Sequence, residues 1–244
     1  MISVCMATYN GEKFIKEQID SIISQLSELD ELIISDDGSS DNTIEIIKSY
    51  NDKRIKLLKH KKNDEFKGIP KLKNFYYTTS NFQNALLNAN GDYIFLADQD
   101  DVWECNKVKI MIEELNNHDL VMSNFSIIDN TGNITNTKYY KKNPISKFRF
   151  FNIIKSKYIG CCMGFSRDLL QKALPFPNKL MAHDFWIGCL SRKYKFIDIS
   201  LHRYRRHGAN VSPSAEKSNN SFWIKVKYRM IFLIQLYMRL LKIK

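Results

Sequence analysis

The chain lacks the cysteine pattern of a disulfide-stapled protein. Cys5, Cys105, Cys161, Cys162 and Cys189 make an odd set, scattered through apolar or mixed segments, which speaks against a disulfide framework. No Cys-His spacing of a zinc module occurs, and no RNP-like or helix-turn-helix signature, so a nucleic-acid partner is not expected. The first residues, Met1-Ile2-Ser3-Val4-Cys5, have no basic n-region, apolar h-region and cleavage site. Upstream of the tail, nothing approaches the roughly 20-residue apolar run that a membrane span needs. These absences together point to a reducing cytoplasm.

What is present is a globular composition. The 244 residues are 44% hydrophobic and 26% charged, enough for one substantial core and incompatible with global disorder. The balance of 37 basic against 26 acidic residues gives +11, which attracts polyanions: nucleotide phosphates or an anionic membrane face.

One stretch organises the rest. Tyr93-Ile94-Phe95-Leu96-Ala97 is an apolar run with aromatic and β-branched residues, and it leads straight into Asp98-Gln99-Asp100-Asp101. A strand buried on both faces looks like this when it ends at a polar site. Extended backbone alternates its side chains, so Asp98 and Asp100 project to one side and Gln99 to the other. Converging carboxylates repel unless a cation lies between them, and hard oxygens suit Mg²⁺ or Mn²⁺. A solvated turn or a helix N-cap is the alternative use of such acids.

Around this strand the chain alternates. Residues 2–7 read as a first buried strand ending at the turn Thr8-Tyr9-Asn10-Gly11, and the stripe Phe14, Ile15, Gln18, Ile19, Ile22, Ile23 and Leu26 as a helix. Glu31–Ser35 is a second strand, closed by Asp36-Asp37-Gly38-Ser39-Ser40-Asp41-Asn42-Thr43 and followed by a helix. Asp41 can cap that helix and Gly38 can turn the chain. Asp36 closes a buried strand beside the first, where a uracil or thymine ring can donate its imide N–H to the carboxylate. Arg54–Lys59 is a third strand, and residues 74–89 are undecided but end as a helix. A helix over 106–116 and a strand over 120–123 complete an alternation that predicts an α/β, Rossmann-like, mostly parallel central sheet with helices on both faces.

The second half is less regular. Residues 129–158 mix basic and aromatic residues without a period, and fit either an acceptor-facing loop or a solvated basic surface. Tyr158–Ser166 is strand-like, with Cys161 and Cys162 read as small buried fillers. His183-Asp184 heads an apolar helix, where an aspartate is usually a cap. Arg203, Arg205, Arg206, His202 and His207 are packed into six positions; beside a diphosphate they would neutralise a leaving group, and His207 could hold a metal through an imidazole nitrogen. From Phe222 a basic amphipathic C-terminal helix follows. Val226, Met230, Leu233, Ile234, Tyr237, Met238 and Leu241 share one side, opposite Lys225, Arg229, Gln235, Arg239 and Lys242. Such a helix is expected to lie on an anionic membrane surface rather than to span it.

Taken together, Ala7–Gly11, Asp36–Thr43, Asp98–Trp103, His183–Trp186 and Tyr204–Val211 resemble a bacterial family 2 glycosyltransferase with the GT-A fold. The likeness covers about residues 1–212, and the acid-Gln-acid-acid string followed by Val-Trp is similar to the rhamnosyltransferase-like branch that builds surface polysaccharides. The resemblance implies a catalytic domain over 1–220, with a nucleotide-binding half (1–128) and an acceptor half (129–220), plus the helix 221–244. It implies that Thr8, Tyr9, Asn10, Asp36, Asp98 and Gln99 hold the nucleotide, that Asp100 and His207 hold Mg²⁺ or Mn²⁺, and that Arg205 and Arg206 face the diphosphate. Asp184 matches the catalytic base, although relatives with Glu-Asp there differ from His183-Asp184. The implied partners are a UDP- or dTDP-sugar donor and a glycan or lipid-linked acceptor. A single inverting transfer per encounter is implied, since the Gln/Arg-x-x-Arg-Trp signature of processive synthases is missing. A nucleotidyltransferase would instead carry a Gly-rich loop with a basic residue after the first strand, and Thr8–Glu12 is not one. A non-catalytic binding module predicts that Asp184→Ala leaves function untouched.

Overall fold

The computed structural model describes residues 1–62, 72–146, 149–154, 157–178, 180, 182–208 and 222–242. The chain opens with β1 (Ile2–Thr8), α1 (Ile15–Ile23), β2 (Glu31–Asp36), α2 (Thr43–Lys48) and β3 (Ile55–Lys59). Next come α3 (Lys73–Leu87), β4 (Tyr93–Asp98), β5 (Val102–Trp103), α4 (Lys107–Leu115) and β6 (Leu120–Ile128). The remainder is β7 (Ile134–Asn136), α5 (Arg149–Ile154), β8 (Met163–Ser166), α6 (Arg167–Ala173), α7 (His183–Leu190), β9 (Tyr194–Arg205) and α8 (Phe222–Lys242).

All nine strands join one sheet in the order β3-β2-β1-β4-β8-β6-β9-β5, with β7 beside β6. Strands β1 to β4 are mutually parallel and β6 is parallel to β9. By contrast β8 is antiparallel to both β4 and β6, β5 to β9 and β7 to β6. The sheet is therefore mixed where a mostly parallel one was expected. The chain leaves β6 at the carboxyl end of the parallel strands and returns from residues 129–162 on that same side, so β8 must enter the sheet head-down. The short edge β5 was not legible either: Val102 and Trp103 pair with Arg203 and His202 of β9, a contact about a hundred residues away in sequence.

Alternation along the strands makes two cores. Val4, Met6, Leu32, Ile34, Phe95 and Ala97 face α1, α2 and α4, meeting Ile15, Ile19, Ile22, Ile47, Val108 and Met111. Cys5, Ile33, Ile94 and Leu96 face the opposite layer of α3, α6 and α7, with Phe82, Leu86, Leu170 and Trp186. Ile15, Ile19 and Ile22 recur at helical spacing and are fully buried, each contributing about 1.5–3 kcal/mol relative to exposure. The undecided stretch 74–89 is nearly all α3, with Phe82, Ala85 and Leu86 on its buried side. The five cysteines are free thiols, and Cys161 and Cys162 are buried as expected.

Helix α8 lies on the body by its narrower side. Phe232 stacks on Phe185 with centroids 4.2 Å apart and meets the Trp186 edge at 5.8 Å, while Leu236 is buried beside them. Gln235 donates to the Asn178 carbonyl, and Arg239 donates to the Lys172 and Leu174 carbonyls while its guanidinium covers Trp186. The flank read as basic is thus the docked one. Met230, Ile234, Tyr237, Met238 and Leu241 point away, each about half exposed or more. Among the described residues no helix is long and apolar enough to cross a membrane.

Candidate active site

The carboxyl ends of β1, β2 and β4 open into a cleft of about 1530 Å³, lined by residues from 7–14, 98–100, 139–144, 157–160 and 182–184 among others. A drug-sized ligand fills roughly 300–1,000 Å³, so this volume admits two substrates together. Thr8, Tyr9, Asn10, Asp98, Gln99, Asp100, Asp184 and His207 all line it. Asp36, Arg205 and Arg206 do not.

The β1 side is a set of clasped loops. Gln99 accepts from the Thr8 hydroxyl (2.5 Å) and the Tyr9 N–H (2.9 Å), and its amide donates to the Tyr9 carbonyl (3.1 Å). The side chain expected to touch nucleotide is thus a buckle between the ends of β1 and β4. Gly11 makes this possible: a Cβ there would lie 2.4 Å from Gln99 Oε1. Asn10, in the left-handed region at φ 49°, accepts from Ser40 N–H and takes Ser39 Oγ on its own N–H, tying the first loop to the second. Tyr9 remains about half exposed, with Lys62 Nζ 3.8 Å from its ring centre.

The expectation for Asp36 is corrected by one residue. Its carboxylate accepts from the Gly38 and Ser39 N–H groups (2.9 Å each) and the Ser39 hydroxyl, so it builds the turn. Asp37 is the one that lines the cleft, held by His60 Nδ1 (2.7 Å) and Lys62 Nζ (3.2 Å). Parity explains this. Ile33 and Asp37 share the face that Ile94, Leu96 and Asp98 occupy on β4, whereas Asp36 follows Ile34 onto the other face.

At the end of β4 the acids divide their labour. Burial, then the neighbouring Asp101 and Asp100, push the Asp98 carboxyl well above its usual range, against a hydrogen bond from Cys161. Burial raises Asp100 as well, while His207, with Nε2 2.7 Å from Asp100 Oδ2, opposes the rise. Two crowded carboxyls at a cleft, with an imidazole alongside, are a donor set that fits a hard divalent cation such as Mn²⁺ or Mg²⁺. Asp101 turns inward instead: it meets His202 Nε2 at 2.7 Å and accepts from the Arg205 N–H at 2.8 Å. His202 Nδ1 lies 3.3 Å from Lys107 Nζ, which also donates to the Cys161 carbonyl at 2.7 Å. Burial lowers the Lys107 ammonium to about 8.

Arg205 does not reach the cleft. Its guanidinium donates to the Asp100 carbonyl (2.9 Å), the Asp129 carbonyl (3.3 Å) and Glu17 (2.5 Å), and it covers the Phe14 ring. It therefore positions the acid turn from behind. Arg206 is exposed outside the cleft lining, its N–H donating to the Ile128 carbonyl. Of the basic string, only His207 faces the acids.

Across the cleft, Asp184 opens α7. Burial raises its carboxyl to about 6, opposed by hydrogen bonds from the Phe185 and Gly160 N–H groups. That places a buried acid near the pH at which it can exchange protons. His183 stacks on Phe82 at 4.2 Å, and burial lowers it to about 3, which keeps it neutral.

Comparison with known proteins adds to this geometry. Residues 3–174, more than half of the chain, match the model of Glycosyl transferase family 2. The chain belongs to glycosyl transferase family 2. It is 36% identical to the dTDP-rhamnosyl transferase RfbG of Shigella flexneri, over 94% of this chain and 79% of that protein. It is 32% identical to WfgD of Escherichia coli, a UDP-Glc:alpha-D-GlcNAc-diphosphoundecaprenol beta-1,3-glucosyltransferase, over 73% of this chain and 66% of that one. Its fold resembles S. aureus TarS 1–349 in complex with UDP-GlcNAc (TM-score 0.67, 18% identity, 94% and 65% of the two chains). It also resembles the mannosyltransferase PcManGT from Pyrobaculum calidifontis in complex with GDP-Man and Mn²⁺ (TM-score 0.55, 17% identity, 99% and 64%). The chain thus spans about two thirds of the length of WfgD and of these structures.

In this family 2 glycosyltransferase the cleft also holds side chains that motif reading passed over: Asp37, Lys62, Tyr77, Asn81 and Tyr140. Counting strand parity would have found Asp37. Asn81 lies on the helix that was undecided and donates to the Thr8 carbonyl, and no sequence signal marks it.

Proposed function

We propose that the protein is an inverting, non-processive transferase that moves a sugar from a UDP- or dTDP-sugar to a glycan or lipid-linked acceptor in surface polysaccharide assembly (O-antigen, capsule or lipopolysaccharide). One observation carries this reading: a single cleft joins the clasped Thr8–Gly11 loop, the acids Asp98 and Asp100, and the buried carboxyl of Asp184. In it Thr8, Tyr9 and Asn10 hold the nucleoside, with Asp37 taking the role first expected of Asp36. Asp98, Asp100 and His207 hold Mn²⁺ or Mg²⁺, whose charge would offset that growing on the diphosphate. Arg205 keeps the Asp100 turn in place, and Arg206 is left free to approach the diphosphate from outside the cleft.

Asp184 takes the proton of the acceptor hydroxyl as it attacks the anomeric carbon from the side opposite the diphosphate. The C–O bond to the diphosphate breaks as the new glycosidic bond forms, which inverts the centre. The exposed apolar side of α8, on a chain of net charge +11, supports seating on the anionic inner face of the cytoplasmic membrane, where lipid-linked acceptors lie.

A panel of nucleotide-sugars screened by thermal shift, with and without Mn²⁺, tests the reading. A metal-dependent rise in Tm with one UDP- or dTDP-sugar is expected, and Asp100→Ala should abolish it. A hit that survives Asp100→Ala at full strength refutes the cation assignment.

A further inference from the structure

The cleft wall on the Asp184 side carries positive charge that the donor chemistry does not use. Lys141 and Lys142 line it from the segment after β7, and Lys157 from the segment leading to Gly160. All three are exposed, and none makes an ion pair among the described residues. Elsewhere the lysines near the cleft are matched: Lys62 on the opposite wall pairs with Asp37 at 3.2 Å, and Lys138 pairs with Asp198 at 2.6 Å.

The three lysines are also anchored. Asn124, at the centre of β6, donates to the Tyr140 carbonyl (2.7 Å) and accepts from the Tyr140 N–H (2.9 Å). The Tyr140 hydroxyl donates to the Lys157 carbonyl at 3.0 Å, which holds the two segments side by side. Three residues on from Lys157, Gly160 donates its N–H to Asp184. That much chain spans at most about 11 Å, so the ammonium groups sit within reach of a group attached to whatever sugar meets Asp184. Like charges gathered in a concave site repel one another and draw in an anion. The donor diphosphate is already provided for by the acids and their cation at the end of β4, so the anion these lysines await is a second one.

We propose that the acceptor carries a phosphate ester beside the sugar that is glycosylated, and that Lys141, Lys142 and Lys157 bind that phosphate. The inference rests on the transferase reading above for which wall takes the acceptor. It narrows the acceptor class to sugar phosphates, of which a lipid diphosphate and a phosphodiester polymer are the two sources.

The test needs no turnover. Binding to the full chain is measured for farnesyl diphosphate against farnesol, and for a glycerol phosphate hexamer against hexaglycerol, first without nucleotide and then with saturating nucleoside diphosphate and Mn²⁺ to fill the donor side. At least one phosphate probe should bind about tenfold or more tighter than its neutral match with the donor side filled, and weaken with salt. The better of the two identifies the source. The triple variant Lys141→Gln/Lys142→Gln/Lys157→Gln should lose the preference, and the triple Arg variant should keep it. Removing the same charge elsewhere, with Lys48→Gln/Lys109→Gln/Lys193→Gln, should leave it intact. No phosphate preference in the wild type, or a preference that survives the cleft triple or disappears equally in the remote triple, overturns the proposal. A failure of the transferase reading shows separately, as the absence of metal-dependent nucleotide binding.

Discussion

Replacing Asp184 with asparagine separates what the carboxylate costs the fold from what it does. Burial raises this carboxyl from 3.8 to about 6. A gap of about two pKa units is worth roughly 3 kcal/mol. The folded protein holds the proton over a range where the unfolded chain has released it, so the folded state loses stability as pH climbs from about 4 to about 6, and bears the whole penalty above that. Asparagine has the same shape and no charge, so it escapes the penalty. Its NH₂ group must replace one of the oxygens that accept from Phe185 and Gly160, at a cost of about 1 kcal/mol. The net gain at pH 7.5 is about 2 kcal/mol, or roughly 4–8 °C in Tm for a chain of this size. Below pH 4 the gain disappears and the variant is the less stable of the two. Turnover should fall by about 10² to 10⁴ while metal-dependent nucleotide binding persists. In the wild type kcat/KM should rise to a plateau above pH 6, and His183, neutral down to about 3, adds no limb of its own. Thermal unfolding of both proteins from pH 4 to pH 8, beside a transfer assay, decides the matter. A Tm difference that does not change with pH, or a variant that still turns over at the wild-type rate, refutes the assignment.

Lys107→Met should destabilise the protein by about 3 kcal/mol, because it removes a buried cation that holds the Cys161 carbonyl and His202. Urea denaturation measures this, and a loss below about 1 kcal/mol would show that the Lys107–His202–Asp101 chain does not brace the acid turn. On α8 the two sides should respond differently. Phe232→Ala should cost about 3 kcal/mol by unstacking Phe185, with no direct effect on vesicle binding. Ile234→Asp/Tyr237→Asp should leave Tm within about 2 °C of wild type and reduce co-sedimentation with anionic phospholipid vesicles. Equal sedimentation of wild type and the Asp pair would remove α8 from the membrane account.

Local pattern was enough for the donor half. Each apolar run there was followed by a turn cluster and an amphipathic stripe, and strands β1, β2, β4 and helices α1 and α4 lie within a residue or two of their expected bounds. What pattern could not supply was direction and long-range pairing. Nothing in Met163–Ser166 marks it as antiparallel, since that depends on where residues 129–162 rejoin the sheet. The same limit governs the site. Thr8, Asp98, Asp100, Asp184 and His207 were legible because each ends a strand or opens a helix at the cleft. Arg205 was misplaced because density of charge in sequence says nothing about which face β9 turns toward Glu17. Asp36 was misplaced because the last residue of a strand was chosen where the face it shares with Asp98 should have been followed one step further.

The stacking of Phe232 on Phe185 reaches beyond stability. Phe185 follows Asp184 directly, so the tail helix rests one peptide bond from the carboxyl that would accept the proton. Shortening the tail to obtain a better-behaved sample would remove that support, and such a truncated enzyme would be a poor standard for the rate of the intact one.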